Sequence, residues 1–434
     1  MKTRPYKVWC APLLLACGAA LLLLSLAAIA LLVWLRPAAT GWQQSLQLGA
    51  FTLQVSTGKV LRLAAHHPIA LLLDGRGVRT SAGIWRISAA QKETILTCEP
   101  CVLAHPSLGP GRVRLDRVSA SLKPDGDGYS GLVRLRAGAD ELAFAWRGII
   151  DPHHAIIDIT AAGVAMANVI AVLGHELPES RIATISGSLS MQLRLHLPER
   201  RLQTQWTLEQ FHVTGLGTEK LLNAALPAQC GSLSGRAISG WLPSAVIAAE
   251  DQTFRSHPGY DTRQIDAALR ANGADNSLRG ASTLTQQLAR LLYTGDERTP
   301  QRKLRELLYA VEMEQTLGKA RILQLYLALA PWGQGQCGAE HAAQRYLGKS
   351  ASALSPAEAA WLASLLTNPD AQLRQMRISG VDGARTAHIV EQMRPMSARR
   401  RTATLAAIAT LRPQAGGEPA EPVAPETAAG FASP

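Results

Sequence analysis

The sequence predicts an α+β protein in which one membrane-spanning helix and a β-rich region precede a mainly α domain. Residues 8–35 carry no charge and form a run long enough to cross a bilayer as a helix. The polarity pattern has a period of two from about residue 42 to 218, and a helical period follows from about residue 244. At 434 residues the chain has room for two folded units.

These patterns divide the chain into five segments. They are a basic start (1–7), an uncleaved signal anchor (8–35), a β-rich domain (36–224), a mainly α domain (225–396), and a basic segment with a disordered tail (397–434). The tail is rich in Pro, Ala, Gly and Glu, a composition typical of disorder. We therefore expect two folded domains between the anchor and the tail.

The first segment and the anchor predict an orientation. Lys2, Arg4 and Lys7 precede the apolar run and only Arg36 follows it closely, so the positive-inside rule places the amino terminus in the cytoplasm. The run is longer than the apolar core of a cleaved signal peptide, which favours a permanent single-pass anchor. The rest of the chain is expected outside the cytoplasm.

The net charge of +11 and the pI near 9.7 indicate an anionic partner. Phospholipid headgroups and a phosphorylated substrate both meet this condition. Nucleic acid is disfavoured, because aromatic residues are only 5% of the chain and we find no recognition motif.

The β-rich domain contains one clear hairpin and two cysteines at close spacing. Residues 191–197 and 202–208 each alternate apolar and polar side chains across a turn, and residues 162–174 predict a helix between strands. Cys98 and Cys101 form either a local disulfide or two inert thiols, and the pairing of Cys230 and Cys337 is open.

Adjacent carboxylates end an apolar helical run at Glu250 and Asp251, with His257 shortly after them. Burial of one carboxylate beside another raises its pKa and makes it a usable base. Taken alone, such a pair is more often the solvated end of a helix. Asp251 and His257 are candidate substrate-binding residues.

Two further clusters supply polar and cationic groups. Hydroxyls, amides and one cation in the stretch 280–290 suit a sugar or phosphate site, although a hydroxyl here also suits a helix cap. The candidate substrate-binding residues of this stretch are Ser282, Thr283, Gln286, Gln287 and Arg290. In the next cluster, Arg298, Arg302 and Lys303 form a candidate clamp for a pyrophosphate, with Glu306 on the same helix; a surface salt bridge is the alternative.

Taken in order, these clusters resemble the motifs of the family 51 glycosyltransferases, the peptidoglycan polymerases. The pattern E-D-x-x-F-x-x-H-x-G is matched by Glu250, Asp251, Phe254, His257 and Gly259. The patterns G-x-S-T-x-x-Q-Q, R-K-x-x-E and K-x-x-I-L-x-x-Y-L begin at Gly280, Arg302 and Lys319. Several motifs in a fixed order across about residues 225–396 are specific to this family.

The resemblance implies a lysozyme-like α fold and a monofunctional enzyme of the periplasmic face of the cell inner membrane that polymerises lipid II. Glu250 would be the base that activates the acceptor hydroxyl, and Glu306 the second essential carboxylate. Undecaprenyl pyrophosphate would leave as the anomeric carbon inverts. The implied partners are lipid II, the growing glycan strand, membrane phospholipid and, through the β-rich domain, cell-wall synthesis proteins.

The family resemblance implies no required cofactor, but it allows a divalent cation, Mg²⁺ or Mn²⁺, at the pyrophosphate. No cluster in the sequence has metal-ligand spacing of its own. Ala281, Gln324 and Ala328 depart from the family pattern, which puts rate or substrate handling in question. Two alternatives stay open: a lysozyme-like glycan hydrolase with Glu250 as general acid, and a non-catalytic envelope scaffold with a relic transferase domain.

Overall fold

The computed structural model describes residues 26, 30–31, 33–37, 43–48, 51–80, 82–90, 93–103, 112–199, 201–224, 230, 237–263, 282–297 and 299–414. Strands dominate from residue 43 to 214, and helices dominate from residue 242 onward. The two polarity periods therefore appear in the order that the sequence predicts, and the chain is an α+β protein.

The strands are β1 (Gln43–Leu48), β2 (Phe51–Ser56), β3 (Gly77–Thr80), β4 (Gly83–Ala90), β5 (Glu93–Cys98), β6 (Cys101–Leu103), β7 (Val113–Leu115), β8 (Arg117–Asp125), β9 (Gly128–Ala137), β10 (Asp140–Ile150), β11 (Ala155–Ala165), β12 (Thr184–Leu197), β13 (Arg201–Thr214), β14 (Pro331–Gly333) and β15 (Gln336–Cys337). The α-helices are α1 (Thr57–Ala64), α2 (His67–Leu72), α3 (Met166–Leu173), α4 (Glu179–Ile182), α5 (Leu242–Glu250), α6 (Leu284–Ala289), α7 (Pro300–Thr316), α8 (Gly318–Leu329), α9 (Ala339–Leu347), α10 (Pro356–Ser364), α11 (Pro369–Ser379), α12 (Gly383–Gln392) and α13 (Ala398–Ala407).

Contacts divide the chain into two compact units. Unit 1 contains Met1–Val102, Arg114–Ala161 and Met191–Thr204, and unit 2 contains Leu103–Val113, Ala162–Ser190 and Gln205–Pro434. The boundary predicted after residue 224 lies inside unit 2. The unit that holds the long helices thus also takes in residues of the region predicted as β-rich.

Nine of the described strands form one sheet in the order β13-β12-β11-β10-β9-β8-β5-β4-β3. The neighbouring positions of β12 and β13 confirm the hairpin predicted around residues 191–208. Strand β10 shows why the sequence alternates, since Leu142, Trp146 and Ile150 are buried while the residues between them at odd positions are exposed. Trp146 and Ile150 lie in the apolar core of unit 1 with Leu122.

The helix predicted over residues 162–174 is shorter than expected. Strand β11 continues to Ala165, and α3 begins only at Met166. Gly163 has φ +61°, which a right-handed helix does not allow, so helical geometry starts after it. The prediction was right about the element and wrong about its first residues.

Unit 2 has a large apolar core that fixes the helices around the site. Its largest fully buried side chains include Trp332, Tyr346 and Trp361. Tyr346 donates from its hydroxyl to the carbonyl oxygen of Trp332 at 3.1 Å, so the polar tip of this core residue is satisfied. Helix α10 is rich in alanine, and its small side chains allow close packing in this core.

The predicted membrane span, residues 8–35, lies largely outside the described residues. Of its members, residues 26, 30–31 and 33–35 are helical. Nζ of Lys59 donates a hydrogen bond to the carbonyl oxygen of Trp34 at 2.6 Å. Within the described ranges, no helix combines the length and the apolar character that crossing a bilayer needs.

The basic segment after residue 396 forms a helix. Helix α13 places the guanidinium of Arg400 5.3 Å from the ring centroid of Trp241, and Arg401 donates to the carbonyl oxygen of Val390 at 2.6 Å. The segment therefore packs on unit 2 through its cations. Residues 415–434 of the predicted tail lie outside the described residues.

Disulfides join Cys98 to Cys101 in unit 1 and Cys230 to Cys337 in unit 2. The first resolves the choice between a disulfide and inert thiols, and the second settles the open pairing. The cysteines of the second disulfide are 107 residues apart, so it closes a long loop that contains most of the candidate site.

Opening the long loop should destabilise unit 2. We expect Cys337→Ser to lower the free energy of unfolding by about 4 kcal/mol, because a cross-link over a long loop removes much chain entropy from the unfolded state. Denaturant unfolding under oxidising conditions measures this. Cys101→Ser is the matched control, since its loop spans only 3 residues and its loss should be roughly half as large. Equal stability of wild type and Cys337→Ser would show that the loop is held by packing alone.

Candidate active site

Glu250 is the last residue of α5, and one of its carboxylate oxygens is held while the other is not. Oε2 accepts a hydrogen bond from Nε2 of Gln287 at 3.1 Å. Oε1 is buried and has no hydrogen-bond partner in the described part of the chain. Burial raises the pKa of this carboxyl above its ordinary value, and the charge of Asp251 adds to the rise, whereas Gln287, Arg385 and Arg290 oppose it. An oriented carboxylate with a free oxygen and a raised pKa is suited to take a proton.

Gln287 is oriented by a second buried group, the phenol of Tyr326. The Tyr326 hydroxyl donates to Oε1 of Gln287 at 2.8 Å, and burial holds the pKa of this phenol well above its usual value. Since a carboxylate only accepts, the amide NH₂ of Gln287 must face Glu250 and its oxygen must face Tyr326. These two hydrogen bonds therefore fix the orientation of the Glu250 carboxylate and, with it, the position of Oε1.

Asp251 has a different environment from its neighbour, although both were candidates from one motif. Its side chain is 0% exposed, and Oδ2 accepts from Nε2 of His257 at 2.8 Å and from the backbone nitrogen of Leu284 at 2.9 Å. Nδ1 of His257 accepts from the backbone nitrogen of Gly259 at 3.1 Å, so the ring donates from Nε2 to Asp251. Asp251 thus ties the loop after α5 to the start of α6, a role that sequence alone did not give.

Gly259 allows this loop to close. Its φ is +96°, and a Cβ at this position would lie 2.9 Å from the carbonyl oxygen of Ala310 on α7. A larger residue would therefore meet both an unfavourable backbone conformation and fixed backbone atoms.

The hydroxyl and amide stretch begins α6 through a capping box. Thr283 accepts from the backbone nitrogen of Gln286 at 3.2 Å, and Oε1 of Gln286 accepts from the backbone nitrogen of Thr283 at 3.1 Å. Thr283 also donates to the carbonyl oxygen of Gly259 at 2.7 Å. Both side chains are buried and serve the fold, so their contact with substrate stays a prediction. The cap still positions Gln287 one residue further on.

The cationic cluster lies in the first two turns of α7, which Thr299 caps. Glu306 has a side chain that is 1% exposed, and it accepts from NH1 of Arg302 and, at 2.7 Å, from Nζ of Lys303. Nζ of Lys303 also donates to Oγ of Ser282. One carboxylate therefore aligns two cations and links them to the segment that precedes α6.

The ammonium of Lys303 has a lowered pKa, although 46% of its side chain is exposed. Loss of solvation around the ammonium is the main cause, Arg302 and Arg290 add to the lowering, and Glu306 opposes it. Net positive charge thus accumulates at this end of the site, which is the condition for binding a multiply charged anion.

The remaining predicted cations differ in position. Arg290 begins a π-helical turn, Arg290–Thr294, with its Nε 3.7 Å from Oδ1 of Asp296. Its charge lowers the pKa of both Glu250 and Lys303, so it is close enough to act on each of them. Arg298 lies outside the described residues.

Arg385 and Lys319 were not among the site residues predicted from the sequence, but both contribute to the site. Arg385 on α12 lowers the pKa of Glu250 through its charge, while its Nε donates to the carbonyl oxygen of Ser364 at 3.0 Å. Lys319 donates to the carbonyl oxygen of His257 at 2.6 Å and lies 4.5 Å from the ring centroid of Phe254. Lys319 opens a recognised motif, but its spacing did not reveal that it holds the loop after Asp251.

The helical part of the chain is similar to known proteins. Residues 226–394 match a family model described as transglycosylase. The chain is similar to the biosynthetic peptidoglycan transglycosylase of Nitrosomonas eutropha, with 41% identity over 164 residues, which are 38% of this chain and 67% of that protein. It is also similar to the proteins of the same name from Citrobacter koseri (46% over 161 residues, 37% of this chain, 66% of that protein) and Klebsiella oxytoca (46% over 160 residues, 37% and 66%).

Fold, site and similarity together define an enzyme of the peptidoglycan glycosyltransferase class. The chain belongs to the biosynthetic peptidoglycan transglycosylase family, which confirms the resemblance that the motifs indicated. It spans about two thirds of the length of the curated relatives it matches, and residues 1–225 of the chain precede the family match.

Proposed function

We propose that this protein polymerises lipid II into glycan strands by inverting transfer, with Glu250 as the base. The observation that carries the proposal is the buried Glu250 carboxylate, which has a raised pKa, one oxygen fixed by Gln287 and the other without a partner among the described residues. A base needs an oxygen that is free to accept a proton from a bound hydroxyl.

In the proposed step, the 4-hydroxyl of the acceptor sugar gives its proton to Oε1 of Glu250. The hydroxyl oxygen forms a bond to the anomeric carbon of the lipid-linked growing chain from the face opposite the diphosphate. The bond from that carbon to the diphosphate oxygen breaks, and undecaprenyl pyrophosphate leaves with the electron pair. Inversion follows from this single displacement.

The cations of the site would neutralise the charge that develops on the leaving diphosphate. Arg302 and Lys303 are aligned by Glu306, and Arg290 lies close enough to affect the pKa of Lys303. Prealigned cations act without reorganising during the reaction. Arg298 stays a further candidate for this set, and Ser282 is held beside Lys303.

Among the described residues, the carboxylates of this site do not form the ligand set of a protein-bound divalent cation. Both oxygens of Glu306 are engaged by cationic side chains, Asp251 accepts from His257, and Glu250 keeps only Oε1 without a partner among the described residues. Across the described ranges, no group of three His, Cys, Asp or Glu side chains has the arrangement of a metal site.

The proposed location is the inner membrane, with the amino terminus in the cytoplasm and the catalytic domain in the periplasm. The uncharged run 8–35 and the cations before it support this, and the net charge of +11 suits contact with anionic phospholipid. Cell-wall synthesis proteins are proposed partners of the β-rich region. Protease treatment of spheroplasts tests the orientation, since it should degrade residues beyond the run; full protection would contradict it.

Turnover of purified lipid II by the full-length protein tests the proposed activity. We expect polymer that a muramidase digests, together with release of undecaprenyl pyrophosphate. Soluble fragments from preformed glycan would instead support the hydrolase alternative. Binding of lipid II without turnover, even at high protein concentration, would support the scaffold.

The pH range over which polymerisation is fast should be narrower than Glu and Lys side chains with ordinary pKa values would give. Glu250 acts as a base only when deprotonated, so the rate falls as pH drops through its raised pKa, above the ordinary value of 4.5. Lys303 contributes only when protonated, so the rate also falls as pH rises through its lowered pKa, below the ordinary value of 10.5.

The profile of kcat/KM against pH measures both limits. Lys303→Arg is the diagnostic variant, because an arginine keeps its charge at every pH of the assay. It should move the alkaline limit upward and leave the acid limit in place. An acid limit at or below the ordinary glutamate value would contradict the assignment of Glu250.

A further inference from the structure

Helix α7, which carries the cationic cluster, is anchored by residues that precede the family match. Nε of Arg305 donates to Oε1 of Glu179 at 2.7 Å, and Glu179 belongs to the short helix α4. Both residues lie in unit 2. Arg305 is the immediate neighbour of Glu306 on α7, so this ion pair acts on the turn that aligns Arg302 and Lys303.

The environment of Glu179 marks the pair as more than a surface contact. Its side chain is 2% exposed, whereas exposed ion pairs contribute little. A carboxylate buried to this degree is costly unless a cation compensates it, and Arg305 provides that cation. Loss of either partner would leave the other without its counter-charge.

Arg305 also reaches the π-helical turn that Arg290 begins. Its NH2 lies 3.5 Å from the carbonyl oxygen of Tyr293, and the ring of Tyr293 stacks on that of Tyr309 of α7 with centroids 4.1 Å apart. One guanidinium thus joins α4, α7 and the turn of Arg290. The position of this guanidinium therefore affects the distance from Arg290 to Arg302 and Lys303 on α7.

The carboxyl-terminal half of α7 is also held by residues that precede the family match. Glu312 is buried and accepts from the backbone nitrogens of Leu216, at 2.8 Å, and Thr218, at 3.3 Å. Thr218 and Thr316 are also joined through their hydroxyl oxygens at 2.9 Å. Residues outside the family match therefore hold α7 at two places along its length.

We propose that Glu179 is a positioning residue for diphosphate binding, acting through Arg305 on the cations at Arg290, Arg302 and Lys303. The inference rests on the proposed function. The diphosphate of lipid II is charged before any bond breaks, so misplaced cations weaken binding of substrate and transition state alike. Such a loss raises KM and leaves kcat nearly unchanged.

The test compares Glu179→Gln with Glu176→Gln in lipid II polymerisation by the full chain. Glu176 is an exposed carboxylate of the same segment, so its variant has the same change in charge without the buried ion pair. We expect Glu179→Gln to raise KM for lipid II about tenfold, in the range seen for coupled residues outside a site, with kcat changed less than about threefold. Glu176→Gln should keep the KM of wild type.

A double variant and a conservative variant separate positioning from general instability. Glu179→Gln combined with Arg305→Gln should be no more impaired than the worse single variant, because both break one pair. Arg305→Lys keeps a cation beside Glu179 but loses the reach of the guanidinium, and it should raise KM to an intermediate value; it decides the matter if Glu179→Gln fails to fold.

A wild-type KM in both Glu179→Gln and Arg305→Lys, or effects of the two Gln substitutions that multiply, would overturn this inference. If the wild-type chain itself gave no turnover of lipid II, the proposed function would fail instead. The two failures are therefore distinguishable in one set of assays.

Discussion

Glu250→Gln is expected to lower kcat for lipid II polymerisation about a thousandfold, within the range that a positioned general base contributes. Glutamine has the shape of glutamate and can still accept from Gln287, but it cannot take a proton from the acceptor hydroxyl. KM should change little, since the cations that bind the diphosphate are untouched. Steady-state turnover on purified lipid II, with folding checked by circular dichroism, measures both constants.

Glu391→Gln is the matched control for this substitution. Glu391 is an exposed carboxylate on α12, so its variant has the same loss of charge away from the site. It should retain wild-type kcat. If Glu250→Gln also retained wild-type kcat, the proton would have to leave by another route, and the assignment of Glu250 as base would be wrong.

Glu306→Gln should reduce both stability and activity. Glu306 is 1% exposed and lies between Arg302 and Lys303, whose side chains are 11% and 46% exposed. Removing the carboxylate leaves two neighbouring cations without compensation, and we expect a loss of about 3 kcal/mol in the free energy of unfolding. Because the cations then lose their alignment on the diphosphate, kcat/KM should fall roughly a hundredfold. Denaturant unfolding and turnover per folded molecule are the measurements.

The double variant Arg302→Met with Glu306→Gln tests the reason for that loss. If repulsion between uncompensated cations is the cause, removing one of them should restore part of the stability that Glu306→Gln loses. Activity should not recover, since a cation of the clamp is gone. Additive losses of stability in the double variant would contradict the proposed electrostatic cause.

Much of the secondary structure was predictable, because the period of the local polarity pattern differs between strands and helices. Alternation in β10 and the close succession of helical runs after residue 244 correspond to elements whose one face is buried. The start of α3 was not predictable, since the period of residues 162–165 does not reveal the positive φ of Gly163. The division into units also cannot be predicted from local polarity, because it depends on contacts between residues distant in sequence. Glu179 and Thr218, for example, both bond to side chains of α7.

The candidate site shows the same limit. The motifs named Glu250, Gln287 and Glu306, and the structure brings Glu250 and Gln287 into contact and seats Glu306 between its cations. Motifs did not separate residues that face the substrate from residues that hold the fold. Asp251 and Thr283 bond to backbone groups of neighbouring segments, and only tertiary contacts show this.

Turnover of lipid II by the purified wild-type chain, run beside Glu250→Gln, is the most direct test of Glu250 as the base of glycan polymerisation. We expect wild type to yield muramidase-sensitive glycan and one undecaprenyl pyrophosphate for each linkage formed. Glu250→Gln should bind lipid II but yield neither product at a comparable rate. Equal yields from the two proteins, or no polymer from wild type, would contradict this expectation.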